Sequence, residues 1–362
     1  MKQKNILFPL IIVLVSMFCG CSDDNDNSND DHTTIDRKEY FTLWNNCDAL
    51  SALKEYVEDV TNQNSKNFIK QEDRIATFDM DGTFVGELYP TYFEYNLLEY
   101  RALDDAAYKD QAPADVKEAA QEIRDFVRQG TALPAHFDMK HAQAAAKAYA
   151  GMTIAEFDSY VKSYAKNNAN GFKGMTYSQS FYLPMLQVFD YLKDNGFTCY
   201  VVSGSDRFIC RALVDEIGIE PNRVIGMDVK LTSTNQGDAE GVNYTMASEE
   251  NLVRTDELII KNLKTNKVLQ ITQEIGKVPV LSFGNSGGDC AMHNYCLSNT
   301  YRSAAFMLIA DDDVRDHANR DKALSLGEDW RKAGYHVISM KDDFRTIYGD
   351  GVEKVDFAFD TK

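Results

Sequence analysis

The chain has 362 residues, of which 44% are apolar and 26% charged, with 21 glycines and 7 prolines. This composition is that of a globular protein and excludes collagen-like, coiled-coil and wholly disordered chains. The net charge is −18, from 38 Lys and Arg against 56 Asp and Glu. Because such a chain cannot neutralise a run of phosphates, we expect no nucleic-acid partner. The length predicts two domains, or one domain with a sizeable insertion.

The N-terminus has the pattern of an export signal. Lys2 and Lys4 precede an apolar run at 6–18 that is too short to cross a bilayer comfortably. The run ends in Phe-Cys-Gly-Cys, which resembles a bacterial lipoprotein cleavage box with lipid attached at Cys21. An acidic stretch without Lys or Arg follows and predicts a solvated tether. Since such acidic residues resemble the export signals of surface lipoproteins, we expect attachment to the cell envelope, at the outer membrane.

Five cysteines lie beyond the export signal, so they cannot all pair with one another. Three of them fall in apolar element patterns, which favours buried free thiols over a disulfide framework: Cys199, Cys210 and Cys290. The sequence contains no CxxC or HExxH spacing, so we expect no zinc site.

From residue 38 onward, helical patterns alternate with short apolar strands, which is the order of an α/β protein. Periodic apolar positions predict a helix over 49–60, and 74–79 has the pattern of a first strand. Residues 86–196 show helical periodicity and no convincing strand, so we interpret them as a helical insertion. Further strands are predicted at 197–203, 223–226, 278–284, 304–309 and 335–339.

This repetition of strand and helix predicts a doubly wound parallel sheet, with any ligand at the carboxyl ends of the strands. The predicted parts are a signal peptide at 1–20, a tether at 21–37, a core domain at 38–85 and 197–362, and a helical cap at 86–196.

The first predicted strand leads directly into an acidic turn, Asp79-Met80-Asp81-Gly82-Thr83. Asp79 can serve both as nucleophile towards phosphorus and as a cation ligand. Asp81 can contribute its backbone carbonyl to the same cation, donate a proton to the leaving oxygen and later activate water. An acidic surface turn is the alternative interpretation.

Three further elements follow in the order that this chemistry requires. Ser203-Gly204-Ser205 ends a strand and offers a hydroxyl and backbone amides to phosphate oxygens. Lys267 lies at the start of an amphipathic helix, where an ammonium would offset negative charge, although Lys261 and Lys264 are competitors. The run 284–289 places the oxygens of Asn285 and Asp289 four residues apart, which suits magnesium.

Together these elements resemble the motifs of the haloacid dehalogenase (HAD) superfamily, in its phosphoserine-phosphatase-like branch, over residues 38–350. The sequence around these motifs is similar also to that of phosphocholine phosphatase. In this chain, Ile275-Gly276-Lys277-Val278-Pro279 leads to Phe283-Gly284-Asn285-Ser286. The resemblance implies a Rossmann-like core with a cap, and spacing back from Asn285 selects Lys267 as the charge-stabilising lysine. Asn285 departs from the family pattern, which has Asp there.

The resemblance implies a Mg²⁺-dependent phosphatase for small phosphate monoesters. The expected catalytic residues are Asp79, Asp81, Ser203 and Lys267, and the expected metal ligands are Asp79, Asp81, Asn285 and Asp289. The candidate substrate contacts are Thr83, Gly204 and Glu87. Glu87 lies close to where phosphoserine phosphatases carry a glutamate that meets the amino group of the substrate; a solvated surface residue is the alternative. Five nearby aromatic side chains offer either an amine-binding cage or packing within the cap, which helical spacing favours: Tyr89, Tyr92, Phe93, Tyr95 and Tyr100.

The sequence is also compatible with two other functions. Gly284-Asn285-Ser286-Gly287-Gly288 matches the GxSxG elbow of serine hydrolases, with acids at 311–313 and then His317 or His336 downstream. Alternatively, the chain is a non-catalytic surface lipoprotein that keeps a phosphatase-like fold, since Asn285 lowers the charge of the metal site. No obligate protein partner is evident from the sequence.

Overall fold

Nine strands lie within residues 40–86 and 89–357, the part of the chain that the computed structural model describes. The predicted export signal, Cys21, the tether and Glu87 lie outside these residues. The strands are β1 (Ile75–Phe78), β2 (Phe172–Lys173), β3 (Thr198–Asp206), β4 (Val224–Ser233), β5 (Leu252–Ile260), β6 (Leu281–Gly284), β7 (Ala304–Ile309), β8 (His336–Ser339) and β9 (Glu353–Lys354).

Helices separate most of these strands along the chain. In the same described ranges they are α1 (Asp48–Thr61), α2 (Phe93–Leu103), α3 (Ala114–Gln129), α4 (Phe137–Ala148), α5 (Ile154–Ala165), α6 (Leu183–Asp194), α7 (Arg207–Val214), α8 (Thr265–Glu274), α9 (Cys290–Leu297), α10 (Arg320–Lys332) and α11 (Met340–Asp343).

Seven of the strands form one sheet in the order β5-β4-β3-β1-β6-β7-β8. All neighbouring pairs from β4 to β8 are parallel, while β4 and β5 are antiparallel. The predicted doubly wound α/β fold is therefore confirmed, with an antiparallel strand at one edge. We did not predict β5, because its sequence mixes charged and apolar residues and all but one of its residues are exposed or half-buried. The strand predicted at 223–226 is the start of the longer β4.

β1 lies at the centre of the sheet, and all four of its residues are buried. Phe78 stacks on Phe283 of β6, with ring centroids 4.3 Å apart, and on Phe189 of α6 at 3.9 Å. Beyond Phe78, the amide of Asp79 donates to the carbonyl of Phe283 at 2.9 Å. The carboxyl ends of β1 and β6 therefore lie side by side, which brings the loops that follow them together.

Helices α2 to α5 lie between β1 and β3 in the chain, within the stretch predicted as a cap. The buried stripe of α3 has helical spacing, since it contains Val116, Ala119, Ala120 and Ile123. Our expectation of no strand in this stretch was wrong in one place, because β2 pairs antiparallel with β9 near residue 354. Helix α6 leads into β3 and packs on the sheet through Phe189, while the domain boundaries at 86 and 196 stay predictions.

No helix among the described residues is long and apolar enough to cross a membrane. The five cysteines beyond the export signal are all free thiols in the structure, in line with the expectation for most of them: Cys47, Cys199, Cys210, Cys290 and Cys296.

Candidate active site

Lys267 connects two carboxylates at the carboxyl ends of the central strands. Its Nζ atom lies 2.5 Å from Oδ1 of Asp79 and 2.7 Å from Oδ1 of Asp289. Asp79 directly follows β1, Asp289 precedes α9, and Lys267 lies in the first turn of α8. All three side chains are buried, and Lys267 is only 1% exposed. The structure therefore brings together three residues that the sequence separates by 210 positions.

Burial and charge set the protonation of this cluster. The pKa of Asp79 is raised to about 7, chiefly by burial and then by the neighbouring Asp289 carboxylate, while Lys267 opposes both effects. Burial also disfavours the ionised form of Asp289, but Lys267 and backbone amides hold the pKa of Asp289 below its usual range. The two carboxylates raise the pKa of Lys267 in spite of its burial. The cluster thus contains more negative charge than one lysine neutralises, a condition that attracts a cation.

Asp81 faces the end of β3. Its Oδ2 atom accepts a hydrogen bond from the Ser205 hydroxyl at 2.7 Å and a longer one from the Ser203 hydroxyl at 3.4 Å. Burial raises the pKa of Asp81 to about 6, with Ser205 opposing and the Glu94 carboxylate adding to the increase. A carboxyl group with this pKa is partly protonated near neutrality, which suits exchange of a proton with a substrate.

The loop after β6 encloses the Asp289 carboxylate. Its Oδ2 atom accepts from the amides of Asn285 and Ser286 at 3.1 and 3.0 Å. A Cβ atom added at Gly284 would lie 2.6 Å from Cβ of Asp289, so only glycine allows this close approach. Asn285 lines the same pocket as Asp79 and Asp289.

Metal binding was predicted for Asp79, Asp81, Asn285 and Asp289. Within the described residues, no three Asp, Glu, His or Cys side chains form a group that could hold a metal by themselves. The Asp81 carboxylate faces Ser203 and Ser205. The part of Asp81 that is predicted to bind the metal is its backbone carbonyl. Carboxylate, amide and carbonyl oxygens nevertheless make a hard-donor set, and such a set fits Mg²⁺ rather than a softer metal.

The phosphate-binding segment differs in detail from the prediction. Ser203 is completely buried, and its hydroxyl accepts from the Ser205 amide at 3.0 Å. Gly204 and Ser205, rather than Ser203, are among the described residues that line the pocket. A Cβ atom at Gly204 would lie 2.5 Å from Leu263, so glycine permits the loop after β5 to pack here. Thr83 is also buried, and its hydroxyl lies 3.3 Å from Oδ2 of Asp79.

A second buried ion pair joins Lys261, which the sequence offered as an alternative to Lys267, with Glu94, which was not predicted as part of the site. Oε1 of Glu94, on α2, lies 2.8 Å from Nζ of Lys261, which follows β5, and both residues line the pocket. Burial disfavours the ionised form of Glu94, but Lys261 and His141 hold the pKa of Glu94 below its usual range. No local sequence pattern indicated that these two residues pair, because they are 167 positions apart and lie outside the acidic motifs.

The other candidates from the sequence have different environments. Lys264, a competitor of Lys267, is exposed. Tyr92 and Tyr95 line the pocket, whereas Tyr89 stacks on His317 with ring centroids 3.6 Å apart. Phe93 and Tyr100 contact Tyr164 within the helical insertion, as packing predicts.

The serine-hydrolase arrangement does not form in the described residues. The Ser286 hydroxyl donates to Oδ2 of Asp289 at 3.2 Å. Nε2 of His317 pairs with the carbonyl of Gly171 at 2.8 Å, and His336 stacks on Phe306. Neither histidine is hydrogen-bonded to Ser286, so neither is placed to act as its base.

No family model matches the chain. Among curated proteins, 1-deoxy-D-xylulose 5-phosphate reductoisomerase of Clostridium perfringens strain SM101 is 33% identical over 87 residues, and the enzyme of strain ATCC 13124 is 32% identical over 87 residues. These matches cover 24% of this chain and 22% of the relatives, so the chain spans under a quarter of their length. A match over so short a part carries no conclusion about activity.

Several solved structures resemble the chain at low identity. A conserved protein of unknown function from Anaerococcus prevotii has 14% identity and a TM-score of 0.49, covering 87% of this chain and 99% of its own. A phosphoserine phosphohydrolase-like protein from Francisella tularensis has 13% identity and a TM-score of 0.39, covering 73% and 94%. A HAD family hydrolase from Salmonella enterica serovar Typhi has 14% identity and a TM-score of 0.39, covering 77% and 72%.

HAD-family hydrolases are therefore among the solved structures similar to this chain. At such identities and TM-scores, likeness alone does not establish an activity, so function has to be argued from the geometry of the site.

Proposed function

We propose that the protein is a Mg²⁺-dependent phosphatase of the HAD type, which hydrolyses small phosphate monoesters through an aspartyl-phosphate. The buried contact between Asp79 and Lys267 carries this proposal. The Lys267 ammonium lies 2.5 Å from the Asp79 carboxylate at the end of the central strand. Its positive charge would reduce the repulsion between this nucleophile and an anionic phosphoryl group.

The first displacement assigns one role to each acid. A carboxylate oxygen of Asp79 attacks phosphorus while the bond from phosphorus to the alcohol oxygen breaks. Asp81 gives its proton to the departing oxygen, and Lys267 offsets the charge on the transferred group. The raised pKa of Asp81, about 6, supports its role as the proton donor.

The second displacement releases phosphate. Asp81, now ionised, takes a proton from a water molecule that attacks the phosphorus of the aspartyl-phosphate, and the carboxylate of Asp79 is regenerated. The segment around Gly204 lines the pocket and is proposed to meet the phosphate oxygens, with Ser203 fixing its turn. The Thr83 hydroxyl, 3.3 Å from Oδ2 of Asp79, is proposed to hold this carboxylate in place.

Mg²⁺ would be held by the Asp79 and Asp289 carboxylates, the Asn285 side chain and the Asp81 backbone carbonyl. The fit is supported by the donor set and by the repulsion between Asp79 and Asp289, which adds to the effect of burial in raising the pKa of Asp79. When bound, the ion would neutralise phosphoryl charge and orient the ester.

Hydrolysis of p-nitrophenyl phosphate by the purified protein, with and without Mg²⁺, tests this function. Replacing Asp79→Asn should lower turnover at least about a thousandfold, because an amide is a poor nucleophile. Asp311→Asn is the matched control, since Asp311 is a buried strand-end acid that instead accepts from Ser339 at 2.6 Å. A wild-type protein without activity would favour the non-catalytic alternative, which the neutral Asn285 motivates.

We also propose that lipid at Cys21 anchors the protein in the cell envelope, with the catalytic domain outside the inner membrane. The support is the apolar run with its basic start and the cysteine at its end. Metabolic labelling with an alkyne fatty acid should mark the wild type and leave Cys21→Ala unlabelled. Equal labelling of both would contradict the anchor.

A further inference from the structure

A second and larger cavity borders the catalytic pocket. The catalytic pocket has a volume of about 130 Å³ and the second cavity about 710 Å³. Three residues line both: Tyr92, Asn285 and Ser286. Pockets that hold a whole organic ligand measure roughly 300–1,000 Å³. The catalytic pocket alone is therefore of a size for the phosphoryl group, and the adjoining cavity is of a size for an organic part.

Apolar residues outnumber polar ones in the lining of the second cavity, and the polar side chains in it are Thr91, Asn285, Ser286, His317, Asn319 and Lys322. Phe126 comes from α3, Ile309 from the end of β7, and Leu326 and Trp330 from α10. Two of these four side chains are aromatic, and flat rings favour stacked or edge-on contacts with another ring. No charged residue lines this cavity except Lys322, among the described residues, and Lys322 is exposed.

We propose that this second cavity binds the alcohol part of the substrate, and that this alcohol carries a bulky, largely apolar group of ring size. The inference rests on the proposed phosphatase function and adds the class of ester. An ester with a small polar alcohol would leave the apolar walls in contact with water, whereas a ring-bearing alcohol would cover them. Burial of apolar area then contributes to binding.

Two alkyl phosphates test this inference, ethyl phosphate and 4-phenylbutyl phosphate. Both release unactivated primary alcohols, so their intrinsic reactivities are close and a difference in kcat/KM reports binding. We expect kcat/KM for the phenylbutyl ester to exceed that for ethyl phosphate by at least about tenfold, because a ring buries enough apolar area for that factor.

Two substitutions on α10 form a matched pair. Leu326→Asp places a carboxylate in the apolar wall and should remove most of the preference by raising KM for the phenylbutyl ester. Leu324 is 41% exposed and does not line the cavity, so Leu324→Asp should keep the preference. Ala318→Phe fills the cavity from a partly exposed position and should also remove most of the preference for the phenylbutyl ester. If Leu326→Asp does not fold, Ala318→Phe tests whether the cavity causes this preference.

The outcomes separate this inference from the function on which it rests. Cleavage of both esters at similar kcat/KM would overturn the inference and leave the phosphatase intact. A preference that survives Ala318→Phe would also overturn it. Failure to cleave either ester with Mg²⁺ present would overturn the proposed function and the inference with it.

Discussion

The Ser205 hydroxyl donates a hydrogen bond to Oδ2 of Asp81 at 2.7 Å. Ser203, which the motif resemblance marks, lies farther from that oxygen, at 3.4 Å, and is fully buried. Ser205 is therefore the closer serine partner of the proposed proton donor, and it fixes the direction in which the Asp81 carboxylate points. Because the hydrogen bond already restricts this side chain, less conformational entropy is lost when it aligns with a substrate.

Replacing Ser205→Ala should lower kcat roughly ten- to a hundredfold with little change in KM, because Asp81 would lose its orientation while the pocket keeps its shape. Steady-state kinetics with p-nitrophenyl phosphate provides the measurement. Ser205→Thr keeps a hydroxyl and should recover most of the activity. A rise in KM alone would instead indicate that Ser205 only binds substrate.

Asn285→Asp should lower the Mg²⁺ concentration needed for half-maximal activity by about tenfold, ~1.4 kcal/mol, since a carboxylate adds charge to the proposed ligand set. The measurement is a Mg²⁺ titration of initial rates. Gly287→Asp is the control, because it adds the same charge two residues away, at an exposed position with open space around its Cβ that is not a proposed ligand. An identical shift of the half-maximal Mg²⁺ concentration in both variants would show that the added charge, and not a direct ligand at position 285, causes the effect.

Arg254→Met should destabilise the fold by about 3–5 kcal/mol. Nη2 of Arg254 lies 2.6 Å from Oδ2 of Asp206, both residues are buried, and the loss of one partner leaves a buried charge without compensation. Urea unfolding followed by circular dichroism measures the change. The exposed pair of Lys332 with Asp329 gives the comparison, since Lys332→Met should change stability by at most about 1 kcal/mol. Comparable losses in the two variants would contradict the prediction.

Asp316 should make stability depend on pH. Burial raises the pKa of this carboxyl to about 6, although the His317 amide and the Tyr348 hydroxyl donate to it. The pKa of Asp316 is higher in the folded than in the unfolded protein. Its contribution to the free energy of unfolding is therefore fully present below about pH 4 and is lost as pH rises through about 6.

Asp316→Asn keeps an oxygen acceptor without the charge, so at about pH 7 this variant should be more stable than the wild type, by up to about 3 kcal/mol. The difference should shrink as pH falls towards about 4, which urea unfolding at the two pH values measures. A difference that is the same at both pH values would show that the ionisation of Asp316 is not its cause.

Short-range patterns were enough to predict the sheet and the acidic motifs. β1 is a run of buried, mostly apolar residues directly followed by Asp79, and this arrangement can be recognised without any knowledge of distant contacts. All but one of the residues of the antiparallel strand β5 are exposed or half-buried, and the strand depends on pairing with β4, so its own sequence carries little signal.

The parts of the site that sequence could not predict depend on packing between distant segments. Glu94 and Lys261 gain their role from mutual burial, which no local pattern encodes. The contrast between Ser203 and Ser205 lies at the irregular end of β3, where the pairing register with β4 shifts between Val202 and Asp206 and the two hydroxyls have different environments. The roles of Glu87 and Cys21 stay predictions.

The pairing of β2 with β9 has a consequence for access to the site. Phe172 in the helical insertion is matched with Lys354 near the carboxyl end of the described chain, and Glu94 contacts Lys261 after β5. The amide of Gly151 also donates to the carbonyl of Arg254, so several contacts hold the insertion to the core in addition to the covalent connections. Movement of the insertion away from the core would break such contacts, and an ester that binds without this movement avoids that energetic cost.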